Sequence, residues 1–317
     1  MPADWQLPPG VPRSLWEFAA DRELPSQESS HLGQSPLLTF DAHLVRSWFS
    51  KPGPLVDLGC GSGRSLLDFS AAGFACTGVD LSQPALEFAA KALSARGLRA
   101  TLVRANLCEL DLLPAEQFDY ALLLFGTLGM IATPQARRQA LGHAHRLLRP
   151  NGRLALHVHS LWPHLFIPGG RRWLLRDLVR RGVGSPEAGD TERGYRGIPH
   201  IYHHVFSLRE LRHVVQQSGF ETLRLIPLRA LPNSSSSREL SPPDPSAAVL
   251  SAESSPPGQP SPQREPGVPG QLSLEQTGWS LEQTGWSLEQ TGWARHWRCT
   301  GWLLELRKPP RCPPQLR

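Results

Sequence analysis

The fold of this chain is decided by one stretch of sequence, Leu55-Val56-Asp57-Leu58-Gly59-Cys60-Gly61-Ser62-Gly63-Arg64. An apolar run leads into an acidic residue, glycines follow at three alternate positions, and apolar residues then recur at helical spacing. This order predicts a buried strand that turns sharply into a helix. Glycine accepts positive φ and carries no Cβ, and a helix N-terminus presents free N–H groups. The turn is therefore suited to hold a small polar ligand against bare backbone.

A second acidic residue stands at the end of the next predicted strand. Phe74–Asp80 is predicted to be a short strand ending in a carboxylate, 17 residues beyond Gly63. In doubly wound folds a carboxylate at this place accepts hydrogen bonds from ribose hydroxyls. The dinucleotide fingerprint G-x-G-x-x-G is not met, because Arg64 stands where its third glycine belongs. The pattern favours a nucleoside-containing cofactor, with a nicotinamide-dependent oxidoreductase as the less favoured alternative.

Five segments share an order and spacing that carry a family resemblance. They are V-D-L-G-C-G-S-G-R (56–64), G-V-D-L-S (78–82), R-A-N-L (104–107), F-D-Y-A-L-L-L (118–124) and L-L-R-P-N-G-R-L (147–154). With them the chain resembles class I S-adenosylmethionine-dependent methyltransferases of the methyltransferase type 11/25 kind, and Gly301–Pro309 resembles that family's last strand. The resemblance implies an α/β fold: a Rossmann-like, seven-stranded, mostly parallel sheet with helices on both faces and an antiparallel last strand.

The resemblance also implies S-adenosyl-L-methionine as the cofactor, together with a set of contacts. The glycines of the turn would face its methionine part, Asp57 would fix its amino group, and Asp80 would accept its two ribose hydroxyls. The full implied set is Asp57, Gly59, Gly61, Gly63, Asp80, Leu81, Asn106, Leu107 and Phe125. Within it, Leu81 would pack on the adenine and Phe125 would border the cofactor near the substrate opening.

Some of these positions have a second interpretation. Asn106 stands where the family often has aspartate at the adenine amino group. Its amide oxygen can accept that bond, but the residue is equally typical of a turn. Leu81 and Phe125 are also consistent with plain core packing.

Composition predicts a reduced protein of the cytoplasm. The chain has 317 residues, a formal net charge of +5 and a pI near 9.2, a mildly basic balance that suits an anionic partner without identifying one. Its five cysteines have no paired spacing and are predicted to be reduced thiols. No apolar run reaches the roughly 18 residues that a membrane span needs, and the N-terminus lacks a signal-peptide core, so we expect a soluble, cytoplasmic protein.

Shifts in composition divide the chain into successive parts. These are an N-terminal cap segment (1–54), a methyltransferase core (55–231) with a lid-like insertion (160–200), a Ser/Pro-rich segment predicted to be disordered (232–296), a final core strand (297–309) and a tail (310–317). The cap is predicted to hold one helix near Thr39–Ser50. The Ser/Pro-rich segment contains S-L-E-Q-T-G-W three times, which indicates tandem duplication; the alternative is a Trp-bearing docking motif.

Within the core, strands alternate with helices, which predicts a mostly parallel sheet with ligands bound beyond the carboxyl ends of its strands. Strands are predicted near 55–58, 75–80, 100–104, 118–125, 153–159, 221–228 and 300–307, and helices near 62–72, 83–96, 134–148 and 207–218. Pro150-Asn151-Gly152 is predicted to end the third of these helices.

The acceptor chemistry is less clearly encoded. Methyl transfer needs alignment and desolvation, and it needs a general base only when the acceptor holds a proton of high pKa. Residues 125–130 lack the Asp/Asn-Pro-Pro-aromatic tetrad of enzymes that methylate DNA amines, so a small-molecule acceptor is predicted. His159 is the predicted base and Tyr202 a predicted hydrogen-bonding partner of the acceptor, although both are equally typical of polar residues at strand ends. No metal site is predicted, since neither H-x-x-x-H nor paired cysteines occur.

One basic segment leaves further functions open. Arg171–Arg181 is predicted to be an amphipathic helix with five arginines and one aspartate, suited to an anionic substrate, RNA, a membrane surface or a solvated lid. An RNA methyltransferase and a cofactor-binding module without chemistry therefore remain alternatives to a small-molecule enzyme. The sequence specifies neither the oligomeric state nor the methylated atom.

Overall fold

The computed structural model describes residues 3–32, 44–195, 198–228 and 299–311. Its strands are β1 (Pro54–Leu58), β2 (Ala75–Asp80), β3 (Thr101–Arg104), β4 (Phe118–Leu123), β5 (Leu148–His159), β6 (Asp190–Tyr195), β7 (Ile198–His204), β8 (Glu221–Leu228) and β9 (Gly301–Arg307). Its helices are α1 (Arg13–Ala20), α2 (Leu24–Leu32), α3 (Arg64–Ala71), α4 (Gln83–Ala95), α5 (Thr127–Met130), α6 (Pro134–Leu147), α7 (Gly170–Gly182) and α8 (Leu208–Gln217). Short 3₁₀ turns cover Asp4–Gln6 and Trp162–Leu165, and residues 44–48 are helical.

Seven of these strands form one mixed sheet in the order β3-β2-β1-β4-β5-β9-β8. The first five run parallel, and β9 pairs antiparallel with both β5 and β8. This confirms the predicted fold class, including the antiparallel last strand. The strand order reverses between β2-β1 and β4, and a crevice at that switch point is where sheets of this kind bind ligands.

Apolar side chains cover both faces of the sheet. Along β1, Leu55 packs into one buried cluster while Val56 and Leu58 pack into the other, as expected where alternate residues point to opposite faces. In β9, every residue from Gly301 to Leu306 is buried, because this strand lies inside the sheet with helices over both faces. The last strand in the chain, β9, is therefore part of the core of the sheet.

Local capping confirms two predicted helix starts. The Ser82 hydroxyl accepts a hydrogen bond from the Ala85 amide at 3.2 Å at the start of α4. At the start of α8, Ser207 and Glu210 form the predicted capping box. Both interactions satisfy N–H groups that a helix leaves without internal partners.

Three predicted boundaries were wrong. α6 ends at Leu147, and β5 begins at the next residue, so Pro150-Asn151-Gly152 lies in the strand instead of ending the helix. The extension is held by the chain beyond β9, because Asn151 donates to the Lys308 carbonyl and Lys308 donates to the Gly152 carbonyl, each at 2.9 Å. β4 stops at Leu123, since Phe125 has a φ of +58°. α3 starts at Arg64, because Gly63 is its N-cap with a φ of +83°.

The two additions to the core differ from prediction. The cap segment holds helices α1 and α2, which the sequence analysis did not predict; of the predicted helix near Thr39–Ser50, residues 39–43 lie outside the described residues and 44–48 are helical. The insertion contains α7 and an antiparallel hairpin of β6 and β7 that runs to His204, four residues beyond the predicted limit of 200. The segment 232–296 with its three repeats, and residues 312–317, lie outside the described residues. No helix in the described part of the chain is long and apolar enough to cross a lipid bilayer.

Candidate active site

The turn after β1 has the backbone that its glycines predict. Gly59, Gly61 and Gly63 have φ values of +83°, +50° and +83°, which side-chain-bearing residues rarely adopt. A Cβ at Gly59 would lie 2.5 Å from Cγ2 of Thr127, and one at Gly63 would lie 2.7 Å from Cβ of Ala89. At Gly61, by contrast, a Cβ would meet nothing within 4 Å. Gly59 and Gly63 are thus required by packing, whereas Gly61 faces open space that a ligand can fill.

Asp80, at the carboxyl end of β2, is tied to this turn. Its Oδ2 accepts a hydrogen bond from the Gly61 amide at 2.8 Å, and its Oδ1 accepts one from the Ser82 amide at 2.8 Å. Burial raises the pKa of Asp80, and these backbone hydrogen bonds oppose the rise. The main chain therefore fixes the orientation of a carboxylate at the mouth of the turn.

Asp57 is the second carboxylate at this place. It is 3% exposed, one residue before the end of β1. Burial raises the pKa of Asp57 to about 7, the positive charge of Arg64 opposes the rise, and the charge of Asp80 adds to it. The Arg64 guanidinium also lies over the ring of Phe125, 4.1 Å from its centroid. With a pKa of about 7, the Asp57 carboxyl exists in both its protonated and its ionised form near neutral pH. A cationic ligand group would bind the ionised form and so stabilise it.

A cavity of about 410 Å³ opens beyond the strand ends and brings most of the predicted site together. Of the residues predicted from sequence, its wall includes Asp57, Gly59, Gly61, Asp80, Leu81, Asn106, Leu107, Phe125 and His159. Within the described residues, Gly63 and Tyr202 are not part of this wall. The volume lies within the range of roughly 300–1,000 Å³ typical of small-molecule sites.

The cap segment forms one side of the cavity. Leu15 and Phe18 of α1 and Glu28 of α2 line it, and the sequence analysis did not predict any of them. Asn106 connects the cap to the core, since its Nδ2 donates to the Pro9 carbonyl at 2.9 Å and its Oδ1 accepts from the Cys108 amide at 3.2 Å. The structure thus gives Asn106 a positioning role, and its predicted contact with adenine stays a prediction.

Two imidazole rings form another part of the cavity wall. The rings of His159 on β5 and His203 on β7 meet edge-on, with centroids 4.8 Å apart. A Cβ at Gly126 would lie 2.5 Å from Cδ2 of His159, and one at Gly129 would lie 2.9 Å from Cε1 of His203. The glycines of the loop after β4 therefore let both rings approach the cavity. The sequence analysis chose His159 as the base and assigned no separate role to His203.

Tyr202 points away from the cavity, which corrects its predicted place beside the acceptor. Its hydroxyl donates to Asp190 at 2.7 Å and accepts from Nη1 of Arg137 at 3.1 Å. Burial raises the pKa of Tyr202; the Arg137 charge opposes this and the bond to Asp190 adds to it. The physical reason is strand alternation: on β7, Ile201 and His203 face the cavity, so Tyr202 faces the other side.

The network that holds Tyr202 also anchors the hairpin. His204 is completely buried and contacts Asp190 through Nδ1 at 2.7 Å and Glu210 through Nε2 at 2.6 Å. Burial alone would raise the pKa of Glu210, but its bonds with His204 and Arg181 lower it to about 2. These contacts of His204 join β6 and β7 to α8.

The remaining reactive groups limit the possible chemistry. Cys60 lines the cavity, but burial raises its pKa and the charges of Asp57 and Asp80 raise it further, so its thiol stays neutral and weakly nucleophilic. Among the residues that the structure describes, no group of three or more His, Cys, Asp or Glu side chains is arranged to hold a metal ion. The site thus offers carboxylates, bare backbone and imidazole.

Comparison with known proteins identifies the domain that carries this site. The family model described as methyltransferase domain matches residues 55–152, which run from β1 into β5. Residues 55–152 are thus similar to methyltransferase domains. A protein of Geobacillus sp. (strain WCH70) named "Putative methyltransferase GWCH70_2453" is 29% identical over 114 residues, which cover 35% of this chain and 45% of that protein.

Two further proteins are similar to this chain. "Putative methyltransferase YqeM" of Bacillus subtilis (strain 168) is 29% identical over 116 residues, covering 37% of this chain and 46% of that protein. The solved structure of a SAM-dependent methyltransferase from Methanosarcina mazei shares the fold, with a TM-score of 0.55 and 17% identity over 84% of this chain and 98% of that one. The chain spans less than half the length of the two named relatives, 45% of one and 46% of the other.

Proposed function

We propose that this protein binds S-adenosyl-L-methionine in the cavity at the ends of β1, β2 and β4 and transfers its methyl group to a small-molecule acceptor. The observation that carries the proposal is the open space in front of Gly61, next to a carboxylate that the same turn orients. Bare backbone suits the amino-acid part of the cofactor, and a fixed carboxylate suits two adjacent ribose hydroxyls. Bound there, the cofactor supplies a methyl group on a sulfonium.

The chain's own groups then have separate tasks. Asp57 faces the cofactor ammonium, and its raised pKa makes this contact sensitive to pH. Asp80 holds the ribose. Leu81 and Leu107 line the cavity and suit an adenine ring, and Phe125 lines it as well, with its ring centroid 6.3 Å from that of His157.

The acceptor would lie against His159 and His203. Both rings line the cavity, as do residues of α1 and of the hairpin of β6 and β7. An imidazole there can take the proton that an oxygen or nitrogen acceptor releases on methylation, a contribution of about 10²–10⁴-fold in rate. The cap helices and the hairpin leave room for a small acceptor and exclude water from it.

Transfer of a labelled methyl group tests the proposal. The intact protein is incubated with methyl-labelled S-adenosylmethionine and a cell extract separated into small-molecule, RNA and protein fractions. We expect label in the small-molecule fraction, and none with the Asp80→Ala variant. Tight cofactor binding without labelled product would favour the non-catalytic module, and label in RNA would favour the RNA methyltransferase; either result contradicts a small-molecule acceptor.

A matched pair of variants distinguishes a role of His159 in turnover from a general effect of losing a histidine. We expect His159→Gln to lower turnover of an acceptor found in this way while leaving cofactor binding unchanged. The control is His213→Gln, on α8, outside the residues that line the cavity. Equal turnover in both variants would show that His159 takes no proton.

A further inference from the structure

Exposed apolar residues are concentrated on one part of the surface. Of the eight large apolar residues that are exposed within the described ranges, six lie between residues 166 and 183. They are Phe166 (67%), Ile167 (44%), Leu175 (66%), Leu178 (67%), Val179 (65%) and Val183 (75%). On the surfaces of soluble proteins such residues normally occur singly. A group of six therefore indicates a surface that contacts a lipid or another molecule.

Helix α7 has two faces, and Leu175, Leu178 and Val179 of this apolar group lie on the outer one, with Val183 just beyond its end. The inner face packs on the protein: Trp173 stacks on His164 at 4.1 Å, and Arg181 binds both Asp177, at 2.6 Å, and Glu210, at 2.7 Å. At 100° per residue, Leu175, Leu178, Val179 and Val183 form a stripe opposite that inner face. We call this stripe, with the arginines beside it, the outward face of α7.

The charges on the outward face have one sign. Arg171, Arg172 and Arg176 are exposed, and Arg180 is partly exposed at 3.4 Å from Glu187. The aspartate of the helix, Asp177, is buried on the inner face. At 100° per residue, Arg171 and Arg172 lie within the arc that the stripe covers, and Arg176 borders it. A lipid surface can bind such a mixed face, because apolar side chains enter the acyl boundary while long arginine side chains reach the headgroups.

We propose that the outward face of α7 binds the surface of an anionic lipid membrane. Arginines attract the negative headgroups, and the leucines, the valines and neighbouring Phe166 leave water by entering the headgroup boundary. RNA would use the arginines but gain little from aliphatic side chains, since binding to single strands relies on aromatic stacking. Two copies of the outward face would bring like charges together, which disfavours a symmetric dimer through it.

Placement on a membrane would affect the cavity through one short connection. Trp173 of α7 donates through Nε1 to the Asp190 carbonyl at 3.3 Å, and Asp190 begins the hairpin that carries His203 into the cavity wall. Lipid binding itself does not depend on the proposed methyl transfer. It can be measured in the absence of cofactor and acceptor, so failure of either proposal leaves the other standing.

Vesicle flotation of the full chain tests the inference. We expect the protein to float with vesicles of phosphatidylcholine plus phosphatidylserine and to stay at the bottom with phosphatidylcholine alone. The apolar double variant Leu178→Ser/Val179→Ser and the charge variant Arg172→Glu/Arg176→Glu should each weaken binding by about tenfold or more. The matched controls are Leu112→Ser, at an exposed leucine (98%) elsewhere, and Arg138→Glu on the exposed side of α6; both should bind like the wild type.

Three outcomes would overturn the inference. The first is no flotation with anionic vesicles, or binding that neither double variant weakens. The second is binding to an RNA oligonucleotide that depends on the arginines and is unaffected by Leu178→Ser/Val179→Ser. The third is a lower thermal midpoint or lost self-association in the apolar variant with vesicle binding unchanged, since that would mean that protein surface covers this face.

Discussion

Asp80 accepts the amide hydrogen of Gly61 at 2.8 Å, so one hydrogen bond joins the carboxylate and the glycine turn that the sequence places 19 residues apart. Its other carboxylate oxygen is held by the Ser82 amide at the same distance. Two backbone donors thus fix the carboxylate before any ligand arrives. Such preorganisation reduces the entropy that a ligand must overcome on binding.

The Gly61→Ala variant distinguishes two effects of a Cβ at this position: loss of the space for a ligand, and strain in the left-handed backbone. Left-handed backbone costs a residue with a Cβ about 1–2 kcal/mol, and a Cβ at Gly61 meets open space, so we expect Gly61→Ala to fold with somewhat reduced stability. Its methyl group would stand where the ligand lies and should weaken S-adenosylhomocysteine binding by about tenfold or more. Calorimetric titration measures this. The control is Gly97→Ala, because Gly97 has a φ of +65° and equally open surroundings outside the cavity wall; equal losses of affinity in both variants would contradict the assignment.

Binding of the demethylated cofactor should depend on pH through Asp57. Its pKa is raised to about 7, and an ammonium group binds only the ionised carboxylate strongly. We expect affinity to rise by up to about tenfold per pH unit below about pH 7 and to level off above it. Titrations in buffers of different ionisation enthalpy count the released proton, and Asp57→Asn should flatten the profile.

The same group has the opposite effect on the ligand-free protein. Because the folded state keeps a proton that the unfolded state releases, Asp57 makes the free energy of unfolding fall as the pH rises from 3.8, the ordinary pKa of an aspartate carboxyl, to about 7. Two results together would contradict this assignment: an affinity that is constant over this pH range, and a stability profile that Asp57→Asn leaves unchanged. They would show that the pKa of Asp57 lies outside this range.

Tyr202→Phe distinguishes a structural from a catalytic tyrosine. Losing the hydroxyl leaves partly buried Asp190 and buried Arg137 each short of a hydrogen bond, which should cost about 1–3 kcal/mol of unfolding free energy. Binding of S-adenosylhomocysteine should be unchanged, because Tyr202 faces away from the cavity. Chemical denaturation measures the loss, with Tyr120→Phe as the control, since the Tyr120 ring stacks on Phe49. Unchanged stability with lost turnover would restore the predicted catalytic role.

The chain between β8 and β9 should be replaceable by a short turn. Leu228 pairs with Gly301, and Thr300 donates to the Leu228 carbonyl at 2.8 Å, so the two ends of the intervening chain are already adjacent. Replacing residues 231–297 by a short glycine-containing hairpin turn should raise stability by on the order of 2 kcal/mol through a smaller closure entropy. Thermal unfolding and cofactor titration check this, with deletion of one repeat (273–279) as the milder control. An unfolded product, or one that no longer binds cofactor, would show that the segment takes part in the fold or the site.

Local sequence predicts the centre of the site well. Strand, turn and helix around Asp57 and Gly61 are specified by contiguous residues, and Asp80 follows at the end of the next strand. Such short-range patterns need no knowledge of distant packing, which is why both carboxylates and Gly61 were placed correctly on one cavity.

The periphery could not be predicted in the same way. Tyr202 and His203 are neighbours in the sequence, and only the register of β7 against the core decides which of them faces the cavity. Helix α1 follows Pro12 and has eight residues, so its periodic signal is short; its Leu15 and Phe18 acquire meaning only from the cavity that they cover. The extension of β5 through Pro150 to Gly152 depends on Lys308, far away in the chain.

The most direct test of the central claim is a calorimetric titration of the intact protein with S-adenosylhomocysteine, repeated with Asp80→Asn and with Asp119→Asn. Asp119 is a surface carboxylate that binds Arg149 at 2.9 Å and serves as the matched control. We predict saturable one-site binding by the wild type and the control, and affinity lower by about tenfold or more in Asp80→Asn. No heat of binding with the wild type, or equal affinity in all three proteins, would contradict a cofactor held by the glycine turn and Asp80.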